Sequence, residues 1–155
     1  MPQYIGVYSA NHIAISVSTA ITILQVKAGT TKQFEILRAW VTQSSSTTMY
    51  MQRIQLLRKT GAATVTSYTP LLLNPASPAA DAAGGSSATG YTASSEGTDG
   101  DLLINDVFNT LNGWLYLPTP EERIKVPASG IVALKFPAAP AAAMTFTASI
   151  IFGEY

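Results

Sequence analysis

The sequence contains one histidine, His12, and no cysteine, which limits the chemistry that its side chains can perform. A metal site built on imidazoles needs several of them, and a thiolate zinc site or a cysteine nucleophile needs cysteine. A Ser-His-Asp triad built on His12 would need partners that no motif in the sequence indicates. The sequence therefore predicts a structural role for His12, with a ring that is either exposed or hydrogen-bonded.

Acidic residues occur in two groups that could do chemistry. The first group could offer several oxygen ligands to calcium, and it comprises Glu96, Asp99, Asp101 and Asp106. Its spacing does not match the twelve-residue calcium loop, and we interpret these residues as parts of turns in a solvated loop. In the second group, Glu121 and Glu122 are adjacent, so on a strand they would point to opposite faces and could not converge on one glycosidic bond.

Motifs of common catalytic sites are absent from the sequence. There is no G-x-S-x-G, no glycine-rich phosphate loop placed between a strand and a helix, and no H-E-x-x-H. We therefore predict that the protein is not an enzyme and has no catalytic residue, no metal site and no cofactor.

Aromatic, arginine and hydroxyl side chains remain as candidates for a binding surface. Aromatic residues in strands usually pack in the core. Trp40 is the best exception, because its face of the predicted strand also carries Arg38, and an aromatic beside arginine is a common interface anchor. The predicted interface residues are Trp40, Arg38, Trp114, Tyr116, Tyr4, Tyr8, Thr145, Thr147 and Ser149.

The last segment, residues 142–155, has the clearest periodicity among the elements that would position these side chains. Its apolar positions are Met144, Phe146, Ala148, Ile150 and Phe152. Apolar residues at every second position predict a strand with one buried face. The other face is mostly small or hydroxyl-bearing. We expect this strand to lie inside a sheet, because unpaired termini tend to fray.

Eight to ten short strands are predicted along the chain, separated by turn residues at fairly regular intervals. If residues 33–43 and 49–58 formed a simple hairpin, Arg38 would lie opposite Arg53, and like charges in that position are unfavourable. This favours a connection that crosses to a second sheet. The pattern predicts one domain over residues 1–155 with an all-β fold, a two-sheet antiparallel β-sandwich of the jelly-roll type.

Two segments stand apart from this pattern. Residues 1–12 are a candidate N-terminal arm. Residues 74–100 are rich in Pro, Ala, Ser, Gly and Thr, and such a segment has too few large apolar side chains to fold alone. We predict that residues 74–100 form a long low-complexity loop, which is either flexible or a contact loop that orders on a neighbour.

The composition favours assembly over a freely soluble monomer. Only 12% of the residues are charged, about half the usual share, and the formal net charge is +0. Such a surface gives little colloidal repulsion and is a candidate for burial in an oligomer. Nine basic and nine acidic residues, with no basic tail, predict no direct binding of nucleic acid. No window is apolar and long enough to predict a membrane span.

Several segments together resemble a known type of protein. They are QVKAG at 25–29, FEILRAWV at 34–41, MQRIQLLR at 51–58, WLY at 114–116, VPASG at 126–130, IVAL at 131–134 and FTASIIFGE at 146–154. In this order they resemble the small jelly-roll head decoration, or cement, proteins of tailed bacteriophages, whose fold is similar to the tumour-necrosis-factor type. The resemblance lies in pattern and spans most of the chain.

The resemblance implies a homotrimer on the outer surface of a phage head, made in the host cytoplasm, that stabilises the shell by binding the major capsid protein. It brings no catalytic residues. It implies that residues 33–43 lie beside the closing strand in one sheet, while 49–58 and 131–136 belong to the other. In such a trimer, the hydroxyl face with Thr145, Thr147 and Ser149 would look toward a sister subunit.

Two other functions stay open at this point. The chain could be a carbohydrate-binding or receptor-binding module of a phage tail, with Trp40, Trp114 or Tyr116 as stacking platforms. It could also be a single-jelly-roll capsid protein, although the sequence offers no basic arm for the genome.

Overall fold

The computed structural model describes residues 3–86 and 96–155. The strands are β1 (Gly6–Val17), β2 (Ile21–Lys27), β3 (Phe34–Gln43), β4 (Met51–Gly61), β5 (Thr66–Tyr68), β6 (Leu71–Leu72), β7 (Ala83–Ser86), β8 (Thr98–Asn109), β9 (Trp114–Tyr116), β10 (Lys125–Val126), β11 (Ile131–Phe136) and β12 (Met144–Glu154). One turn of 3₁₀ helix, Pro120–Glu122, lies between β9 and β10. The regular secondary structure of the described chain is therefore almost entirely β-strand.

The strands form two antiparallel sheets that pack face to face. Sheet A has the order β10-β3-β12-β1-β6, with β9 also paired to β3, and sheet B has the order β5-β7-β2-β11-β4-β8. Apolar side chains from the facing sides meet between them, as in the contact between Phe136 of β11 and Phe146 of β12, whose ring centroids are 4.8 Å apart. The predicted all-β sandwich of jelly-roll type is confirmed.

The closing strand β12 lies inside sheet A, between β3 and β1. Its alternating apolar residues are all buried in the core, from Met144 at 1% exposure to Phe152 at 0%. Burying a large apolar side chain stabilises the fold by about 1.5–3 kcal/mol. The regular alternation therefore fixes which face of β12 joins the core, and the opposite face carries Thr145, Thr147 and Ser149.

The connection from β3 to β4 crosses from sheet A to sheet B. Arg38 on β3 is opposite Ile151, and Arg53 on β4 is opposite Val107. The two like charges are therefore not paired across a hairpin, as the sequence predicted. Residues 49–58 and 131–136 share sheet B through the pairing of β4 with β11, also as expected.

The candidate arm and the long loop both contribute strands. Within residues 1–12, Gly6 to His12 lie in β1 and pair with β12, so this part is built into the sheet because its backbone groups complete the ladder. Within residues 74–100, β7 pairs with both β2 and β5, and Thr98 begins β8. Residues 87–95 of the predicted loop lie outside the described residues.

In residues 3–86 and 96–155, no helix has the length and hydropathy needed to cross a membrane.

Candidate interaction surface

The face of sheet A that looks away from the core is the candidate interaction surface, and we call it the outer face of sheet A. Residues directly opposite each other on neighbouring strands share a face. One row across the sheet consists of Leu115, Trp40, Ser149 and Asn11, on β9, β3, β12 and β1. The next row consists of Arg38, Ile151, Ser9 and Leu71, on β3, β12, β1 and β6. The residues between these rows, such as Ala39 and Ile150, belong to the core.

Trp40 and Arg38 form one side of this face. The guanidinium carbon of Arg38 lies 4.7 Å from the centroid of the Trp40 ring. A cation–π contact of this kind contributes about 0.5–1 kcal/mol at an exposed site, and here it holds the arginine against the indole. Leu115 lies beside Trp40 with 54% of its surface exposed. This side of the face is therefore an apolar ridge with one cation.

The centre of the outer face carries mostly short, polar, uncharged side chains. Ser149 is 4% exposed, and its hydroxyl donates a 2.7 Å hydrogen bond to Asn11 Oδ1. The Ser9 hydroxyl donates to the same oxygen at 3.0 Å. Thr147 continues the strip opposite Thr42. Small side chains whose hydroxyls already have partners leave a surface that another protein can approach closely.

A hollow of about 330 Å³ borders the outer face where β1 ends the row, and it is lined by Asn11, Tyr68, Thr69 and Leu71. The Tyr68 hydroxyl donates a hydrogen bond to the Asn11 carbonyl oxygen. Burial raises the pKa of Tyr68 to about 12, so its hydroxyl stays a donor across the neutral range. Leu71 is 64% exposed at the rim.

Five of the predicted interface residues lie on the outer face of sheet A. They are Arg38, Trp40, Thr145, Thr147 and Ser149. Thr145 is at the end of the sheet, where its backbone N–H donates a 2.7 Å hydrogen bond to the Ser45 hydroxyl.

Trp114 and Tyr8 are core residues, so their prediction as surface contacts was wrong for the folded chain. Trp114 is 6% exposed because it is opposite Val41 on the inner side, and its indole N–H donates a 3.1 Å hydrogen bond to Asp106 Oδ2. Tyr8 is fully buried, and its hydroxyl donates a 3.0 Å hydrogen bond to the Pro78 carbonyl.

Tyr116 and Tyr4 are half-buried and already engaged within the chain. Tyr116 is on the Trp114 side of β9, with ring centroids 6.4 Å apart and nearly parallel rings, and its hydroxyl donates to the Glu122 carbonyl. The Tyr4 hydroxyl donates to Glu35, which also forms a 3.1 Å ion pair with Arg123. Burial, followed by the nearby Glu35 carboxylate, raises the pKa of Tyr4. No local sequence pattern indicates this three-residue cluster, because its members are far apart along the chain.

The acidic residues considered for calcium are paired with protein groups instead. Glu96 accepts hydrogen bonds from the backbone N–H of Thr22 at 2.9 Å and from its hydroxyl at 2.6 Å. Asp99 forms ion pairs with Lys59 at 2.7 Å and with Lys135. Partial burial acts to raise the pKa of Asp99, but the two ammonium groups outweigh it and lower the pKa. In the part of the chain that the structure describes, no group of three or more potential ligands could hold a metal ion.

His12 is buried, with 1% of its surface exposed, and neither ring nitrogen has a hydrogen-bond partner within the described ranges. The prediction of an exposed or hydrogen-bonded ring was therefore wrong. The reason is the alternation of β1, which places His12 on the same face as the core residues Tyr8 and Ala10. Burial lowers the pKa of His12.

Searches against protein-family models, curated proteins and solved structures found no match for this chain. The functional interpretation therefore rests on the chemistry and geometry of its own residues. The outer face of sheet A has exposed leucines at its margins, and Arg38 lies against the Trp40 ring. These features suit binding to another molecule.

Proposed function

We propose that the protein is a capsid decoration protein, a structural protein that binds the outer surface of a tailed-phage head and stabilises the shell. In this proposal it forms a homotrimer, binds the major capsid protein of the same virion and is not an enzyme. It would be made in the host cytoplasm. The observation that carries the proposal is the outer face of sheet A, an extended surface with apolar margins whose described rows contain a single charged side chain, Arg38.

Leu115 and Leu71 expose 54% and 64% of their surfaces to water at the two margins of the outer face of sheet A. The strip between them, with Ser149 and Thr147, is small and uncharged. A protein interface needs about 1,000 Å² or more of buried surface with a centre poor in charge. A broad sheet face of this composition meets the chemical requirement, and a protein with only 12% charged residues has little else to keep copies apart.

The same face bears on the carbohydrate-binding alternative. Of the three proposed stacking platforms, Trp114 is buried and Tyr116 is stacked on Trp114. Trp40 reaches the surface, but the Arg38 guanidinium lies over its ring. A sugar would have to displace that guanidinium to stack, whereas a protein partner could use the pair as it stands. The geometry therefore favours protein contact.

The balance of charge bears on the capsid-protein alternative. Nine basic residues are matched by nine acidic ones. Five of the nine basic residues form ion pairs with acidic residues of the described chain: Lys32, Arg58, Lys59, Arg123 and Lys135. Four basic residues are then left to neutralise phosphates, whose contacts dominate binding to nucleic acid. This supports a place on the outside of a shell over one that contacts the genome.

Binding to heads that lack the protein tests the proposal. We expect the purified protein to co-sediment with such heads and to raise their resistance to rupture. Trp40→Ala should weaken binding at least tenfold, and Met51→Ala, a change at an exposed residue of sheet B, should not. Absence of binding at high protein concentration would contradict decoration. Glycan binding by the trimer that is lost in Trp40→Ala would instead support the carbohydrate-binding module.

A further inference from the structure

His12 is a buried polar side chain that the proposed function does not use, and its ring nitrogens have no hydrogen-bond partner among the described residues. It lies on β1 opposite Ala148, at the start of a register shift that runs to Ile15. Within this shift, Ala14 adopts a φ of 41°, a backbone conformation that costs about 1 kcal/mol or more for a residue with a side chain. The neutral imidazole therefore lies in the core next to a strained part of the strand.

The elements packed against β1 provide no counter-charge for a protonated ring. Strands β6 and β7 carry no charged residue, β2 carries only Lys27, and β12 carries only Glu154. Glu154 is opposite Gly6, at the far end of β1, and it already accepts the backbone N–H groups of Asp81 and Ala82. The nearby tyrosines, Tyr8 and Tyr68, donate their hydroxyls to carbonyl oxygens.

The residue before His12 connects this site to the outer face of sheet A. Asn11 accepts hydrogen bonds from Ser149 and Ser9 through its side chain and from Tyr68 through its backbone carbonyl. A shift of β1 at His12 would move Asn11. The contacts that shape the centre of the outer face would then change together.

We propose that His12 makes the protein acid-sensitive: at mildly acidic pH its ring binds a proton that the core cannot accommodate, and β1 separates from β12 around Asn11. The direction of the change in stability with pH follows from the linkage between proton binding and folding. Burial disfavours the charged form, so the unfolded state binds the proton more readily, and stability present above about pH 6.5 is lost as the pH falls. The unfolding constant should rise by up to about tenfold per pH unit from this one proton.

The consequence for assembly rests on the proposed function. If the outer face of sheet A is a contact face, lowering the pH from 7 to 5.5 should release the protein from heads or dissociate its oligomer. The loss of stability of the folded chain at low pH does not depend on a partner.

Nuclear magnetic resonance tests the proposal directly, because His12 is the only histidine and its imidazole signals need no assignment among others. We expect the ring of the folded protein to remain neutral at pH 6 and to protonate only as folded signals are lost. A reversible titration of the folded protein with a midpoint at or above about 6.5 would overturn the proposal.

Urea unfolding of variants between pH 7 and 5 gives a second test. The loss of stability with falling pH should be much smaller in His12→Leu than in the wild type, and it should persist in the matched control Asp99→Asn, which removes a carboxylate of the ion-pair cluster. Equal pH dependence in His12→Leu and wild type would overturn the proposal. If His12→Leu does not fold, His12→Gln takes its place. The nuclear magnetic resonance titration of the wild type also tests the proposal without any variant. Heads that never bind the wild type would contradict the proposed function and leave these two tests unaffected.

Discussion

Replacing Lys59 by methionine tests how the outer side of sheet B is held together. The Lys59 side chain is fully buried, and its ammonium group donates hydrogen bonds to Asp99 Oδ1 at 2.7 Å and to the Glu96 carbonyl at 2.8 Å. Methionine has a similar length and no charge. It would therefore leave the Glu96 carbonyl without its donor, the Glu96 carboxylate without the cation 3.8 Å away, and Asp99 with one cation in place of two.

The expected cost follows from which groups lose a partner. Breaking a buried ion pair costs about 3–5 kcal/mol when it leaves an unpaired charge. Asp99 keeps Lys135, and 39% of its side chain is exposed, so the cost should be at the lower end of that range, about 3 kcal/mol. The matched control is Arg58→Met, because Arg58 and Asp101 are 4.0 Å apart, with 38% and 83% of their side chains exposed. Surface pairs of that kind contribute about 0–1 kcal/mol.

Urea unfolding at pH 7, followed by circular dichroism, measures both changes. We expect Lys59→Met to lower the free energy of unfolding by clearly more than Arg58→Met while leaving the m-value unchanged. If both variants lose less than about 1 kcal/mol, the ammonium group of Lys59 does not hold the segment around Glu96 and Asp99 to sheet B, and the reasoning is refuted.

Three further changes test the two faces of sheet A. Thr147→Lys should leave the free energy of unfolding of the monomer within about 0.5 kcal/mol and abolish self-association in sedimentation velocity; a trimer that persists would show that this strip is not the contact. Gly153→Ala would place a Cβ 2.5 Å from the Tyr4 ring, so it should cost about 1–3 kcal/mol in urea unfolding; an unchanged stability would argue against this packing. Phe146→Ala should cost about 3–5 kcal/mol by thermal or urea unfolding, and a loss under 1 kcal/mol would place Phe146 outside the core.

The alternation of apolar and polar residues predicted the fold, because strand geometry places every second residue on one face and that face must be apolar to be buried. In β12, the apolar residues recur at every second position, and the structure buries each of them. Pattern alone is sufficient to predict the buried face, since one face of the strand must be covered and only one face is apolar. The position of β12 beside β3 agrees with what the resemblance implies and does not follow from the pattern.

The candidate site was predictable in part, because alternation separates two faces without saying which is covered. Trp40 and Trp114 are both aromatic residues in strands, and their exposure differs because Trp40 is opposite Ser149 and Trp114 is opposite Val41. That pairing depends on register, which the sequence does not give. For the same reason, Tyr8 was predicted as a surface contact although it lies in the core.

Sheet B shows a second limit, since polar residues on its outer side are buried by other segments of the chain. Gln25 is 5% exposed and exchanges two 3.1 Å hydrogen bonds with the backbone of Ala63. Lys59 is covered in the same way by the segment that carries Glu96. Long-range covering of this kind leaves no local pattern, so the sequence predicted solvated acidic turns where the structure has a buried ion-pair cluster.

A cryo-electron-microscopy reconstruction of heads carrying the bound protein tests the central claim most directly. We predict three copies around a threefold axis on the outer surface of the shell, with the outer face of sheet A, including Trp40, Leu115 and Thr147, buried against a sister subunit or the major capsid protein. A reconstruction in which the protein is absent from the shell, or is bound with this face open to solvent, would contradict the account.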